Sequence, residues 1–266
     1  MILDGKKIAK QIEINLKRKI KNLAQPLYLG IILVGRNPAS LIYVNLKEKK
    51  AKKLGIKIKK IVLSSRTSQK RLIDIIEQLS KKADGIIVQL PLPKHLNAKK
   101  ITDTIPPALD VDGFGEDSPF VSPAHQAILA LIKKSKAGLK NKKAAILAKT
   151  LIFAQPLKKL LEKQKIKTKI FLNPGKKNFS KFDIIISALG KPYFLKPEMI
   201  KVKSIIIDVG YSRKKGKAIG DVDPKCQEIA AFISPVPGGV GPLTVIYLLK
   251  NVYLAAKARL EKFGKG

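Results

Sequence analysis

Leu27-Tyr28-Leu29-Gly30-Ile31-Ile32-Leu33-Val34-Gly35 is an almost unbroken apolar run closed by a glycine, and its reading decides the fold. A strand covered on both faces shows no polar alternation, so residues 27–34 read as a buried strand. On its amino side, residues 6–22 set Ile8, Ile12, Leu16, Ile20 and Leu23 near helical spacing. On its carboxyl side a second helix is predicted from about residue 38 or 39 to Leu54, stopping at Gly55. Residues 56–63 follow as a strand with alternating lysines, and residues 71–82 as a helix. Gly85-Ile86-Ile87-Val88-Gln89-Leu90 is then a short apolar strand closed by Pro91 and Pro93. Three strands alternating with helices predict a mostly parallel sheet.

Residues 106–123 are rich in Pro, Gly and Asp and break the periodicity. A helix over 126–134 leads into a lysine-rich stretch ending near Lys143, and a domain boundary is expected in this region. Beyond it the alternation repeats, with strands at 144–148, 169–172, 183–187 and 204–209 and a helix at 157–165. That is the pattern of a nucleotide-binding sheet. The last helix, from Leu243 to about Phe263, is long enough to cross back onto the first domain. The expected class is α/β with two domains: residues 1–135 plus 244–266, and a Rossmann-like domain of residues 136–243.

Lys and Arg number 54 against 19 Asp and Glu, a net charge of +35 in 266 residues. Such a charge raises nucleic-acid binding as the alternative of another class. The lysines run from Lys6 to Lys265 between Ile and Leu, however, without one basic arm or interleaved aromatics, which favours attraction of an anionic small substrate. One cysteine, Cys226, excludes an intrachain disulfide and suits a reducing cytoplasm. With His95 and His125 it gives too few ligands for a zinc site, so no metal is expected. No apolar run reaches the roughly 18 to 20 residues of a membrane span, and the first residues lack a signal-peptide order.

Four segments carry chemistry. Tyr43 and Lys47 lie four apart on the second helix and share a face. A lysine serves as general base when burial or neighbouring cations lower its pKa, and Lys49, Lys50 and Lys52 are expected to act that way. Gln89 puts an amide at the carboxyl end of a parallel strand, where ligands gather in open α/β sheets. Asp110-Val111-Asp112-Gly113-Phe114 holds two carboxylates on a loop, either as a self-capping turn or as a site. Ser234-Pro235-Val236-Pro237-Gly238-Gly239-Val240-Gly241-Pro242-Leu243-Thr244 combines fixed and permissive φ angles, the composition of a loop that wraps a ligand or of a rigid turn.

Taken in order, Val34-Gly35 through Ser40, Tyr43 and Lys47, the 85–93 strand and turn, Asp110 to Phe114, Asp208-Val209-Gly210, Gly220-Asp221-Val222 and the Pro-Gly loop resemble the bifunctional methylenetetrahydrofolate dehydrogenase/methenyltetrahydrofolate cyclohydrolase family over nearly the whole chain. The resemblance implies a folate site in a cleft between the two domains. Lys47 would be the central catalytic group, with Gln89 holding it, Tyr43 packing on the pterin or its linker and Asp112 bonding the pterin ring. Ser40, Val88, Leu90, Pro237, Gly238 and Gly239 would complete the substrate site. Ala148, Lys149, Thr150, Asn173, Ala188, Gly190, Asp208, Gly210, Asp221, Gly239 and Thr244 would bind NADP. The chain would oxidise 5,10-methylenetetrahydrofolate and hydrolyse the methenyl product to 10-formyltetrahydrofolate, as a cytoplasmic homodimer.

The sequence departs from the family where the dinucleotide should lie. Ala148-Lys149-Thr150 stands in place of Gly-Arg-Ser, Phe153-Ala154 in place of Val-Gly, and Asn173-Pro174 in place of His-Ser. A methyl can obstruct a pyrophosphate, and alanine costs about 1 kcal/mol against glycine in a left-handed conformation. Lys149, Lys176 and Lys177 supply positive charge for a 2′-phosphate. These departures leave NAD, or no cofactor and a monofunctional cyclohydrolase, as alternatives. Leu109 also replaces a lysine before Asp110, and residues 116–125 are shorter than in the family. His95 and His125 fall outside the matched motifs and read as structural or surface residues.

Overall fold

The computed structural model of the chain describes residues 1–175, 177–214 and 216–263. Its contacts divide it into two compact units. The N-terminal unit comprises Lys10–Pro123 and Val245–Gly266, and the central unit Met1–Ala9 and Ala124–Thr244. Two helices, α1 (Gly5–Lys21) and α8 (Val240–Phe263), begin in the central unit and end in the N-terminal one.

In the N-terminal unit, β1 (Tyr28–Val34), α2 (Pro38–Lys53), β2 (Lys57–Leu63), α3 (Gln69–Ser80), β3 (Gly85–Val88) and the short α4 (Ala98–Asp103) follow in order. The strands form a parallel sheet in the order β2-β1-β3. From Leu29 to Val34, β1 is buried at every residue, as a central strand covered on both faces must be. Helix α2 ends at Gly55, whose φ of +80° admits the left-handed turn. Helix α3 starts at Ser68, whose hydroxyl accepts the Arg71 N–H at 3.2 Å. It lays Leu72, Ile75 and Ile76 against Ile32, Val34, Ile86 and Val88 to form the core.

After Met1–Ala9 the central unit resumes in α5 (Pro123–Lys134), followed by β4 (Lys143–Ala148), α6 (Leu151–Glu162), β5 (Lys167–Leu172), β6 (Ile184–Ala188) and β7 (Ile205–Asp208). A small hairpin, β8 (Ser212–Lys214) and β9 (Lys217–Ile219), precedes α7 (Cys226–Ile229) and β10 (Phe232–Ile233). Its five-stranded sheet is parallel throughout, in the order β10-β7-β6-β4-β5. The chain therefore moves outward from β4 to β5 and crosses back to β6, which puts a topological switch point between β4 and β6.

Helix α6 starts at Leu151, six residues before the sequence places it. Pro156 disguises the start: it lies inside the helix, where its missing N–H costs one bond in the second turn without ending the helix. No helix among the described residues is long and apolar enough to cross a membrane.

Candidate active site and dinucleotide crevice

In the N-terminal unit, α2 leaves the carboxyl end of β1 and carries Ser40, Tyr43 and Lys47, while β3 delivers Val88, Gln89 and Leu90 at the same end of the sheet. Lys47 is only 7% exposed, although Lys49 and Lys52 on the same helix face solvent. Its Nζ donates to Gln89 Oε1 at 3.1 Å, and Gln89 Nε2 donates to the Leu90 carbonyl at 2.8 Å. Ser40 Oγ reaches the same carbonyl at 3.5 Å. Both ends of the amide are thus engaged, and its oxygen is turned to the lysine. Of the cations expected to act on Lys47, Lys50 is itself paired with Glu13 at 2.7 Å, which offsets its charge.

Asp110 and Asp112 play different parts. Asp110 pairs with Ile86 in a parallel bridge, which extends the sheet beyond β3. Its carboxylate is buried and accepts the Gly113 N–H at 3.1 Å and the Gly115 N–H at 2.8 Å. Burial raises its pKa, against the pull of these bonds. Asp110 is therefore the self-capping turn residue, and Asp112 lies half-buried two positions further on. Asn251 of α8, 2% exposed, donates Nδ2 to the carbonyls of Val111 at 2.9 Å and Val121 at 3.2 Å and so ties down both ends of this loop. The sequence carries one signal for it, an amide in an apolar helical stripe.

In the central unit, Ala148-Lys149-Thr150 turns from β4 into α6. Thr150 is the N-cap but makes no side-chain cap bond, so the first-turn N–H groups stay open to a ligand. The crevice continues across the switch point to Ala188 and Gly190. Gly190 has a φ of +58°, and a Cβ added there would lie 3.1 Å from Lys149 Nζ. Exposed Asn173, at a φ of +40°, donates Nδ2 to the Lys149 carbonyl at 3.3 Å. Neither Ala148 nor Ala154 takes a positive φ, and both methyls are fully buried, one in the sheet and one in the helix. The expected left-handed cost is thus absent, and neither methyl is exposed on the crevice surface. An open helix N-terminus and a glycine in the crevice wall fit a dinucleotide pyrophosphate, and the Lys149 amine adds positive charge beside them. Lys177 is exposed nearby in sequence; Lys176 lies outside the described residues.

Asp208 and Asp221, expected at the cofactor, instead face inward. Asp208 accepts the N–H groups of Gly210, Asp221 and Val222 at 2.9 to 3.0 Å. Asp221 accepts from Ser187 Oγ at 2.9 Å and from the N–H groups of Leu189 and Lys191 at 2.7 Å. A methyl on Gly210 would overlap the Asp221 carboxylate, and one on Gly220 the Asp208 carboxylate, which is why glycine stands at both positions. Burial pushes the Asp208 carboxyl up to about 7, with the neighbouring Asp221 adding to the shift. Thr244 likewise spends its hydroxyl on the Val240 carbonyl of its own helix, at 3.0 Å.

The Pro-Gly loop packs on the start of α1. Lys6 N–H donates to the Gly238 carbonyl at 3.1 Å, and a methyl on Gly5 would overlap the Gly239 carbonyl. Gly238 and Gly239 are buried, and Pro237 is exposed. His125 is a core residue: it packs edge-on against Phe153 at 5.0 Å, and burial pushes its pKa down to about 4.

A buried lysine held by an amide in one parallel α/β unit, and an open helix N-terminus at the switch point of a second, define a two-unit α/β enzyme that combines proton transfer with dinucleotide binding. The sequence matches two family descriptions: "Tetrahydrofolate dehydrogenase/cyclohydrolase, catalytic domain" over residues 3–112, and the "NAD(P)-binding domain" of the same family over residues 122–260. It is 37% identical to the bifunctional protein FolD of Halothermothrix orenii, covering 96% of this chain and 98% of that one. The crystal structure of the Campylobacter jejuni bifunctional enzyme FolD, methylenetetrahydrofolate dehydrogenase/cyclohydrolase, superposes with a TM-score of 0.92 at 33% identity, covering 98% of this chain and 99% of the other. The Trypanosoma brucei enzyme complexed with NADP and an inhibitor gives 0.91 at 27% identity, covering 98% of each chain. The chain belongs to the tetrahydrofolate dehydrogenase/cyclohydrolase family.

Proposed function

We propose that the chain oxidises 5,10-methylenetetrahydrofolate to the methenyl compound with NADP and hydrolyses that product to 10-formyltetrahydrofolate. The Lys47–Gln89 bond carries this reading, because it places a buried amine, fixed in direction, at the ligand-binding end of a parallel sheet. In hydrolysis, water adds to the amidinium-like carbon while Lys47 takes the water proton. The carbon–N5 bond then breaks as Lys47 returns that proton to N5, and the remaining hydroxyl proton leaves to water as the carbonyl forms, so the formyl group stays on N10 and one proton is released overall. Gln89 keeps the amine aligned through both transfers. Tyr43, Ser40, Val88, Leu90 and Asp112 hold the folate.

For oxidation, the Ala148–Thr150 turn and the first turn of α6 hold the pyrophosphate, and Lys149 and Lys177 meet the 2′-phosphate. NADP held there would supply a hydride acceptor for the methylene carbon; the protein's work is alignment and the exclusion of water. Residues 1–135 plus 244–266 are assigned to folate and residues 136–243 to the dinucleotide. The test is spectroscopic: loss of methenyltetrahydrofolate absorbance, and NADP reduction with the methylene substrate, run beside NAD. Methenyl loss without reduction of either dinucleotide would favour the monofunctional alternative.

Homodimerisation is supported by the open edge of β2. Lys57 N–H bonds the Leu27 carbonyl and the Leu63 carbonyl receives the Gly35 N–H, so the N–H and C=O groups of Ile58, Lys60 and Val62 point to the open side. A groove of about 1370 Å³ runs along this edge. Antiparallel pairing about a two-fold axis at Lys60 sets Ile58 of each copy opposite Val62 of the other, and Glu48, 2.7 Å from Lys60, offsets the central charges. The single buried Cys226 suits the cytoplasm.

A further inference from the structure

At the carboxyl ends of β10, β7 and β6, the side chains of Ser234, Asp208 and Asp221 each accept main-chain N–H groups and so tie one segment to the next. Ser234, which opens the Pro-Gly loop, receives the Asp208 N–H on its Oγ at 2.8 Å. The Asp208 carboxylate accepts the Asp221 N–H at 3.0 Å, and the Asp221 carboxylate in turn accepts three donors, all from the end of β6 and the loop after it. Two of those donors, the N–H groups of Leu189 and Lys191, flank Gly190, which forms the crevice wall beside Lys149. Further main-chain bonds run the same way: Tyr193 N–H donates to the Gly220 carbonyl at 3.2 Å and Leu195 N–H to the Asp221 carbonyl at 2.9 Å. A buried carboxylate that accepts two N–H groups from one short loop dictates that loop's shape, since the Leu189 N–H left without it would be buried and unpaired.

Resting on the dinucleotide reading of that crevice, we infer that Asp221 is a positioning residue for the dinucleotide: it fixes the 189–191 loop, with Asp208 fixing Asp221 from behind. It makes no contact with the reacting atoms. Its removal lets the 189–191 loop open at the switch point and weakens dinucleotide binding, while the Lys47–Gln89 pair keeps its own supports in the N-terminal unit.

The experiment measures the Kd for NADPH by calorimetry, together with KM and kcat for NADP and the rate of methenyl hydrolysis, on the wild-type chain, Asp221→Asn, Asp221→Glu and Ser187→Ala. Asp221→Asn is expected to raise Kd and KM at least tenfold, with kcat changed less than threefold and hydrolysis within twofold. Ser187→Ala removes one of the three donors and is expected to raise Kd severalfold. Should Asp221→Asn fail to fold, the serine variant decides. Asp221→Glu, which keeps the charge, is expected to bind NADPH more tightly than Asp221→Asn. Folded variants whose Kd and KM stay within twofold of wild type overturn the role of Asp221, as does a parallel loss of both activities at unchanged Kd. A wild-type chain that hydrolyses methenyltetrahydrofolate but binds no NADPH overturns the dinucleotide reading and the role of Asp221 together.

Discussion

Lys47 Nζ lies 3.1 Å from Gln89 Oε1, and Gln89 Nε2 lies 2.8 Å from the Leu90 carbonyl, so the amide cannot rotate without losing both bonds. The amine is thereby held in one direction at a site where most lysines would sweep through solvent. Substituting Gln89→Ala removes the hold but leaves the amine. Methenyl hydrolysis is expected to fall about 10²-fold in kcat, in line with the worth of a positioned proton-transfer group, with a smaller change in folate KM. Steady-state kinetics decide; a variant that changes KM alone would make Gln89 a binding residue only.

The central unit contains two buried titrating groups that work against each other. The Asp208 carboxyl, pushed up to about 7, keeps its proton in the fold where the unfolded chain has released it. The folded state then binds more protons, and this contribution to stability declines as pH rises from about 4 to about 7. His125, pushed down to about 4, stays neutral in the fold where the unfolded chain is protonated, so its contribution rises with pH from about 4 to about 6.5. Against wild type, Asp208→Asn should gain stability as pH rises through 4.5 to 6.5, and His125→Phe should lose it. Thermal midpoints across that window test the signs; identical slopes in all three proteins would exclude both assignments.

Asn251 closes the Asp110–Asp112 loop from α8. Asn251→Leu leaves the Val111 and Val121 carbonyls without that donor, at a cost of about 1–3 kcal/mol for each group left unsatisfied. The loop carrying Asp112 is then less fixed. A lower midpoint together with a raised folate KM is the expected result, and an unchanged KM would separate Asn251 from the site.

Val62, 47% exposed on the β2 edge, is the simplest handle on self-association. Val62→Glu sets a charge opposite Ile58 of the other copy and should shift sedimentation toward the monomer. A wild-type chain that sediments as a monomer at all concentrations would remove the β2 edge as an interface.

The sequence made both sheets legible because their strands are continuous apolar runs, and Lys47, Gln89 and Asp112 stood out by residue type at the end of a strand or on a turn. What stayed hidden was tertiary. Pro156 masked the first turn of α6, the very turn that opens onto the crevice. Ala148 and Ala154 looked obstructive because substitution for glycine says nothing about which way a methyl points. Asp208 and Asp221 looked like ligands to a cofactor, since a carboxylate beside a glycine reads the same whether it faces outward or accepts N–H groups from a neighbouring loop. The glycines at 210 and 220 were needed to admit those carboxylates, a contact visible only in three dimensions. Asn251 lies 140 positions from one of its partners, beyond any local pattern.

The most direct measurement is the rate of 5,10-methenyltetrahydrofolate absorbance loss for Lys47→Ala against wild type, with NADPH binding measured on the same preparation. The account expects hydrolysis to drop by about 10²–10⁴-fold, the range for a general acid–base residue, while the Kd for NADPH stays within twofold. Hydrolysis that survives in a folded Lys47→Ala protein would contradict it.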